Sequence, residues 1–169
     1  IAFRYSLGGG FRESNSWEPL GLTGHYDNFG PELSFGQTLQ TKESGNIAIA
    51  KFTHSGSQII DWTPVGSMAE SRNIYTKFIT FVRESIDDLQ GRGHQVDLAG
   101  IFYHLGENDM SFHPYRKEAA ERLQTIIAQS RKDLTLPKLK WFVSQQPPTD
   151  DKRVNSLDVV ADVTAAAAA

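Results

Sequence analysis

Residues 96–112 read VDLAGIFYHLGENDMSF. Up to Leu105 the run is mostly aliphatic and aromatic, the pattern of a strand covered on both faces. It then ends in Gly106-Glu107-Asn108-Asp109. One Asn or Gly suffices for a turn, so two acids and an amide on the same corner suggest binding or chemistry. A strand of this kind belongs to a parallel sheet, and open parallel sheets bind ligands beyond the carboxyl ends of their strands.

Working outward, IAFRY (1–5), IAIAKFT (47–53) and KLKWFVS (138–144) read as further strands. Helices are predicted between them. One runs from Pro31 to about Thr41, with Leu33, Phe35 and Leu39 as a partial stripe. One covers 67–89, where Ile74, Phe78, Phe81, Val82, Ile86 and Leu89 recur at helical spacing and Gly91 and Gly93 stop it. One covers 114–132, with Ala119, Leu123, Ile126 and Ile127 inward, and a last one covers 154–169. The order β-α-β-α-β-α-β-α predicts a parallel sheet with helices on both faces. Three segments with unusual chemistry leave the strand tips: 7–28, 54–62 and 106–113. The first is a long loop, of a length usually functional or disordered, and its Trp17 and Tyr26 argue against plain disorder.

The chain has 169 residues, enough for one domain, and 39% hydrophobic residues can build its core. With 17 basic and 20 acidic residues the net charge is −3, so no basic field points to nucleic acid. No apolar run approaches the roughly 20 residues that cross a bilayer. There are no cysteines, which removes disulfides and thiolate metal sites.

His54-Ser55-Gly56-Ser57-Gln58 follows the strand at 47–53. Gly56 between two small serines lets a backbone approach a ligand closely. The same residues also suit an ordinary strand-to-helix corner. They match neither a phosphate loop nor a nucleophile elbow. The amide of Asn108 is a candidate donor to a developing oxyanion, with Glu107 and Asp109 as braces; equally, it is an Asx turn before the next helix. His104, inside the strand, reads as a core histidine. His54, His104 and His113 all lie near the expected site's edge, and His25 and His94 read as loop residues. No pair of histidines has zinc-motif spacing, so no metal or organic cofactor is implied. Trp17, Tyr26 and Trp62 suit a sugar platform or a core equally well.

These residues resemble SGNH-type hydrolases, and more narrowly the sialate O-acetylesterase and acetylxylan esterase relatives (carbohydrate esterase family 6-like). Trp17-Glu18-Pro19-Leu20 resembles a W-x-P segment. Phe29-Gly30-Pro31-Glu32-Leu33-Ser34-Phe35 resembles the family's FGPE-x-x-F helix opening. Residues 51–62, KFTHSGSQIIDW, resemble its K-x-A-x-G-G-T-S stretch, and residues 103–109 its Y-Q-G-E-S-D stretch. The resemblance implies a flavodoxin-like three-layer α/β/α sandwich with a parallel sheet. It implies a carbohydrate O-acetylesterase that uses Ser, His and Asp through an acyl-enzyme. Gly56 and Asn108 would then hold the oxyanion. His54, Ser55, Trp17 and Trp62 would line the pocket for an acetylated carbohydrate, with Glu107 and Asp109 behind.

The chain departs from the pattern where Leu105 replaces the usual Gln and Ser55 a glycine. The family's G-[DQ]-S-N stretch falls before residue 1 and its D-x-x-H beyond the last helix. The expectation is therefore one SGNH-hydrolase-like domain over 1–169, a piece of a longer protein lacking its nucleophile and Asp/His segments. Ser57 with His113 is a makeshift alternative pair that no spacing supports. The alanines at 165–169 are read as helix or as placeholders. A polysaccharide substrate would suggest a secreted or periplasmic protein. The rival reading is a non-catalytic carbohydrate-binding or scaffold domain on the same fold; a nucleotide binder ranks behind both for want of a phosphate loop.

Overall fold

The computed structural model describes residues 1–8, 11–23, 29–110, 113–144 and 164–165, without the side chains of residues 107, 110, 113 and 114. Two compact units result, Ile1–Ser55 and Gly56–Ala169.

The first unit contains β1 (Ala2–Ser6), β2 (Glu18–Pro19), α1 (Glu32–Lys42) and β3 (Ala48–Phe52). Its sheet has the order β2-β1-β3. β1 and β3 are parallel from Ala2↔Ala48 to Ser6↔Phe52, whereas β2 is antiparallel to β1. Part of the stretch read as a loop thus returns as an edge strand, and Pro19 sits where a missing N–H is tolerated. Phe3 and Tyr5 are buried, but Ala48 and Ala50 are exposed, so β3 is not covered on both faces. Its outward positions carry only alanine, which leaves little apolar area to hide.

α1 buries Glu32 and Gly36, one turn apart, while Leu33, Phe35 and Leu39 are half-buried. A Cβ at Gly36 would lie 2.6 Å from Leu20, 3.1 Å from Ile49 and 3.2 Å from Ile1, so the glycine permits the helix's close approach to the sheet. Glu32 accepts from Lys51 Nζ at 2.7 Å and from the Gly30 N–H at 2.9 Å. Burial pushes its carboxyl up, but the Lys51 bond and the backbone donors outweigh that and hold it below its ordinary value.

The second unit contains two 3-10 turns (Ile59–Trp62 and Glu70–Arg72), α2 (Tyr75–Gly91), β4 (Ile101–Tyr103), α3 (Glu107–Met110), α4 (His113–Asp133) and β5 (Trp141–Val143). α2 starts at Tyr75, where its periodic stripe begins, and not at residue 67 as expected. The preceding residues fold on themselves instead, with Asn73 Oδ1 accepting from the Ser67 N–H at 2.7 Å. Its buried face carries Phe78, Ile79, Phe81, Val82 and Ser85. α4 matches its predicted face, burying Ala119, Leu123, Ile126 and Ile127.

β4 and β5 pair in parallel over Ile101↔Trp141 to Tyr103↔Val143. The apolar run from 96 forms a strand only where it has that partner. It is covered on one face only: Phe102 and Phe142 stack with centroids 4.7 Å apart and are 60% and 46% exposed. On the other face Tyr103 and Trp141 join Trp62 and Phe78 in an aromatic cluster. The described residues therefore show mixed α/β content with one three-stranded and one two-stranded sheet. Among them no helix is long and apolar enough to cross a membrane. The predicted helix at 154–169 lies outside them except at 164–165, which are helical.

Candidate functional site

Residues 56–59 form a corner that belongs to neither a strand nor a helix until the 3-10 turn begins at Ile59. Gly56 opens it with φ +71°, and nothing lies within 4 Å of where a Cβ would be. This is one of the backbone conformations that favour glycine. The open space above it leaves room for a ligand.

Side chains hold this corner. The Arg72 guanidinium donates to the Gly56 carbonyl. The Asn108 amide donates to the Ser57 carbonyl at 3.3 Å. Asp61 accepts the Gln58 N–H at 2.9 Å, and Gln58 and Asp61 cap each other reciprocally. Asp109 accepts the Ile59 N–H through both oxygens, at 3.1 and 3.2 Å. Four consecutive residues thus each have a backbone polar group tied by a side chain from elsewhere in the second unit. A segment without ladder hydrogen bonds needs such partners when it is buried.

The predicted pair of corners therefore meets. Asn108 and Asp109, on α3, reach Ser57 and Ile59 directly. Among the described residues the amide of Asn108 bonds the Ser57 carbonyl. It is exposed, and it points at the glycine corner. Asp109 is wholly buried and braces the opposite loop through the Ile59 N–H as well as bonding its own backbone. Burial pushes its carboxyl up to about 6, opposed by the Ile59 N–H and the nearby Arg122 charge and reinforced by Asp61. Gly106 precedes α3 with φ +134°, which lets the chain leave β4 and turn into that helix. The side chain of Glu107 lies outside the described residues.

Other sequence expectations resolve differently. Ser57 is buried, and its hydroxyl accepts the Trp62 indole N–H at 3.0 Å. The hydroxyl thus serves the indole as an acceptor; the His113 side chain, the other half of the makeshift pair, lies outside the described residues. Trp62 is itself buried between Phe78 and Tyr103, at ring distances of 5.9 and 6.1 Å. It supports the corner from below and offers no open face to a sugar, which corrects its reading as a pocket wall. His104 is exposed rather than in the core, with Nδ1 2.7 Å from Ser144 Oγ where β4 and β5 end.

Trp17, His54 and Ser55 belong to the first unit. There the loop after β1 meets the loop after β3: Thr53 N–H donates to the Ser6 carbonyl at 2.9 Å, and a Cβ on Gly8 would strike the Thr53 carbonyl at 2.6 Å. Both segments leave the same edge of the parallel pair, as the strand order predicted. His54 is half-buried, Ser55 exposed and Trp17 half-buried. Tyr26 and His25 lie outside the described residues. Among the described residues no group of three metal-ligating side chains occurs.

Sequence reasoning missed Asp61 and Arg72. Asp61 is 1% exposed and also accepts from Ser67 Oγ at 3.0 Å and Arg72 Nη2 at 3.0 Å. An acid three residues after a candidate cap was a usable signal for it. Arg72 carried none, because nothing in a loop sequence says which carbonyl a guanidinium will find.

The family model for "Carbohydrate esterase, sialic acid-specific acetylesterase" matches residues 11–167. Among solved structures, an X-ray structure of a protein from Arabidopsis thaliana superposes with a TM-score of 0.64 at 18% identity. The match covers 97% of this chain and 62% of that one, so this chain spans less than two thirds of that protein's length. At that identity the likeness speaks for fold alone. No curated protein matches.

Proposed function

The chain belongs to the sialic acid-specific acetylesterase family of carbohydrate esterases, and from that premise we propose that it forms the oxyanion-binding part of a carbohydrate O-acetylesterase. The fold we assign is the family's three-layer, flavodoxin-like α/β/α sandwich. The observation that carries the reading is the meeting of Asn108 with the Gly56–Ser57 corner.

In this reaction a serine oxygen attacks the acetyl carbonyl and a histidine takes the serine's proton. The carbonyl oxygen gains negative charge as the tetrahedral intermediate forms. The sugar hydroxyl leaves with a proton from the histidine, and water releases acetate from the acyl-enzyme. The oxyanion needs N–H donors fixed before charge develops, each worth roughly 3 kcal/mol in the transition state. Asn108 brings an amide with two N–H groups, one of which is anchored on the Ser57 carbonyl. Gly56 supplies an uncrowded backbone corner beside it. Asp109 and Asp61 hold that corner rigid. Ser57 does not fit the nucleophile, since its hydroxyl is buried against Trp62. We assign that role to the family's G-[DQ]-S-N serine in the complete protein.

The test treats the complete protein with p-nitrophenyl acetate and with O-acetylated sialic acid, following acetate release, and labels it with a serine-directed phosphonate. Turnover with stoichiometric labelling supports the esterase. Sugar binding with neither turnover nor labelling rejects it in favour of a non-catalytic module.

A further inference from the structure

We propose that Arg72 is a positioning residue for this reaction: by holding the Gly56 carbonyl it fixes the direction of the Ser57 N–H and so aims the oxyanion corner. The inference rests on the esterase reading and goes beyond the residues that the resemblance supplies.

The argument is one of peptide geometry. A trans peptide is planar, with C=O and N–H on opposite sides, and the described residues contain no cis bond. Arg72 Nη2 donates to the Gly56 carbonyl. The N–H of the same peptide, which belongs to Ser57, therefore points away from the guanidinium. At Gly56 the backbone has room to swing, because nothing lies within 4 Å of where a Cβ would stand and its φ of +71° is one that glycine leaves and enters at little cost. Without an external hold this peptide could flip and exchange an N–H for a carbonyl at the spot where negative charge develops. Asn108 anchors the next carbonyl, not this one.

The guanidinium is itself held in place. Nη2 also bonds Asp61 Oδ2 at 3.0 Å, and Asp61 is fixed by the Gln58 N–H and Ser67 Oγ. One nitrogen thus joins a buried carboxylate to the glycine carbonyl. The two hydrogens of that nitrogen are fixed in the guanidinium plane and diverge toward the two acceptors, directions that a lysine ammonium on a flexible stem holds less well. Arg72 lies in the Glu70–Arg72 turn, eleven residues beyond Asp61, and its side chain is 40% exposed. It is therefore reachable by a small cation that replaces it.

The experiment uses the complete protein with p-nitrophenyl acetate. Arg72→Ala should lower kcat by roughly 10²-fold, the scale of a misplaced or lost oxyanion donor, with KM within about twofold. Ethylguanidinium at millimolar concentration should restore part of kcat in that variant and leave the wild type unchanged. Arg72→Lys covers the case in which the alanine variant does not fold: it keeps a charge for Asp61, and should melt near the wild type while kcat still falls about tenfold. Folded variants with wild-type kcat overturn the proposal. So does a loss of activity that merely tracks the folded fraction and does not respond to ethylguanidinium. A wild-type protein without acetylesterase activity overturns the esterase reading, and this inference with it; an active wild type with unaffected variants overturns this inference alone.

Discussion

Each unit contains a buried acid paired with a partly exposed cation, and the two pairs do different jobs. In the first unit Lys51 meets Glu32 at 2.7 Å and joins β3 to the start of α1. In the second, Arg72 meets Asp61 at 3.0 Å and passes a further hydrogen bond to the Gly56 carbonyl. The lysine ends at its carboxylate and acts as a clamp. The arginine has donors to spare and carries the anchoring onward into a corner that no secondary structure holds. A third buried acid, Asp109, has no ion pair among the described residues and rests on the Ile59 N–H, with the Arg122 charge nearby. Glu32 is held below its ordinary pKa, whereas Asp109 is pushed up to about 6. Burial is the largest influence on both, and a bonded cation accounts for much of the difference.

If that contrast is right, substitutions in the corner move kcat and substitutions at the clamp move stability. The largest effect belongs to Asn108→Ala. It should lower kcat by about 10²-fold while KM and the melting temperature change little. An unchanged kcat removes Asn108 from the oxyanion site and the corner loses its special status.

Asp109 sharpens the contrast through pH. The folded protein keeps a proton on it up to about pH 6, while an unfolded aspartate releases its proton near 4. Between those values the folded state binds more protons, so stability should fall as pH rises, by up to about 3 kcal/mol. Glu32 has the opposite sign: its contribution is present above its ordinary pKa and is lost as pH falls through its lowered value. Urea unfolding of the wild type and Asp109→Asn at pH 4.5 and 7 isolates the first effect. The variant should lack the decline; an identical pH dependence in both proteins would contradict the raised value.

Lys51→Ala leaves Glu32 buried without its cation and should cost about 2 kcal/mol, discounted from a fully buried pair because the lysine is partly exposed. Its kcat, measured well below the melting temperature, should match the wild type. A large drop in kcat with unchanged stability would erase the distinction between clamp and corner. The smallest effect is that of Gly56→Ala. Only the positive φ opposes the methyl group, since the space around it is open, so it should cost about 1 kcal/mol by thermal unfolding.

Much of this was legible along the chain. The faces of α2 and α4 followed from spacing, because a helix makes its pattern from residues three and four apart. Gly56 and Asn108 stood out because polar groups crowded the ends of apolar runs. Strand length was less legible. The run at 96–105 looked like a long buried strand, but β4 spans only Ile101–Tyr103, where β5 pairs with it. A ladder depends on a partner far away in sequence, and residue types within a strand do not state how long that partner runs. The loop at 7–28 hid an edge strand for the same reason.

By itself, then, the sequence determined the buried faces of α2 and α4, the glycine corner, the amide beside an acid, and the family. Those are properties of neighbours and of short motifs. Tertiary structure alone decided which group each polar side chain would hold: Asp109, Arg72 and Asn108 the backbone of Ile59, Gly56 and Ser57, and Trp62 the Ser57 hydroxyl. The reason is that buried backbone groups in an irregular corner must find partners, and folding selects them by proximity in space, which separations of five to fifty-one residues do not encode.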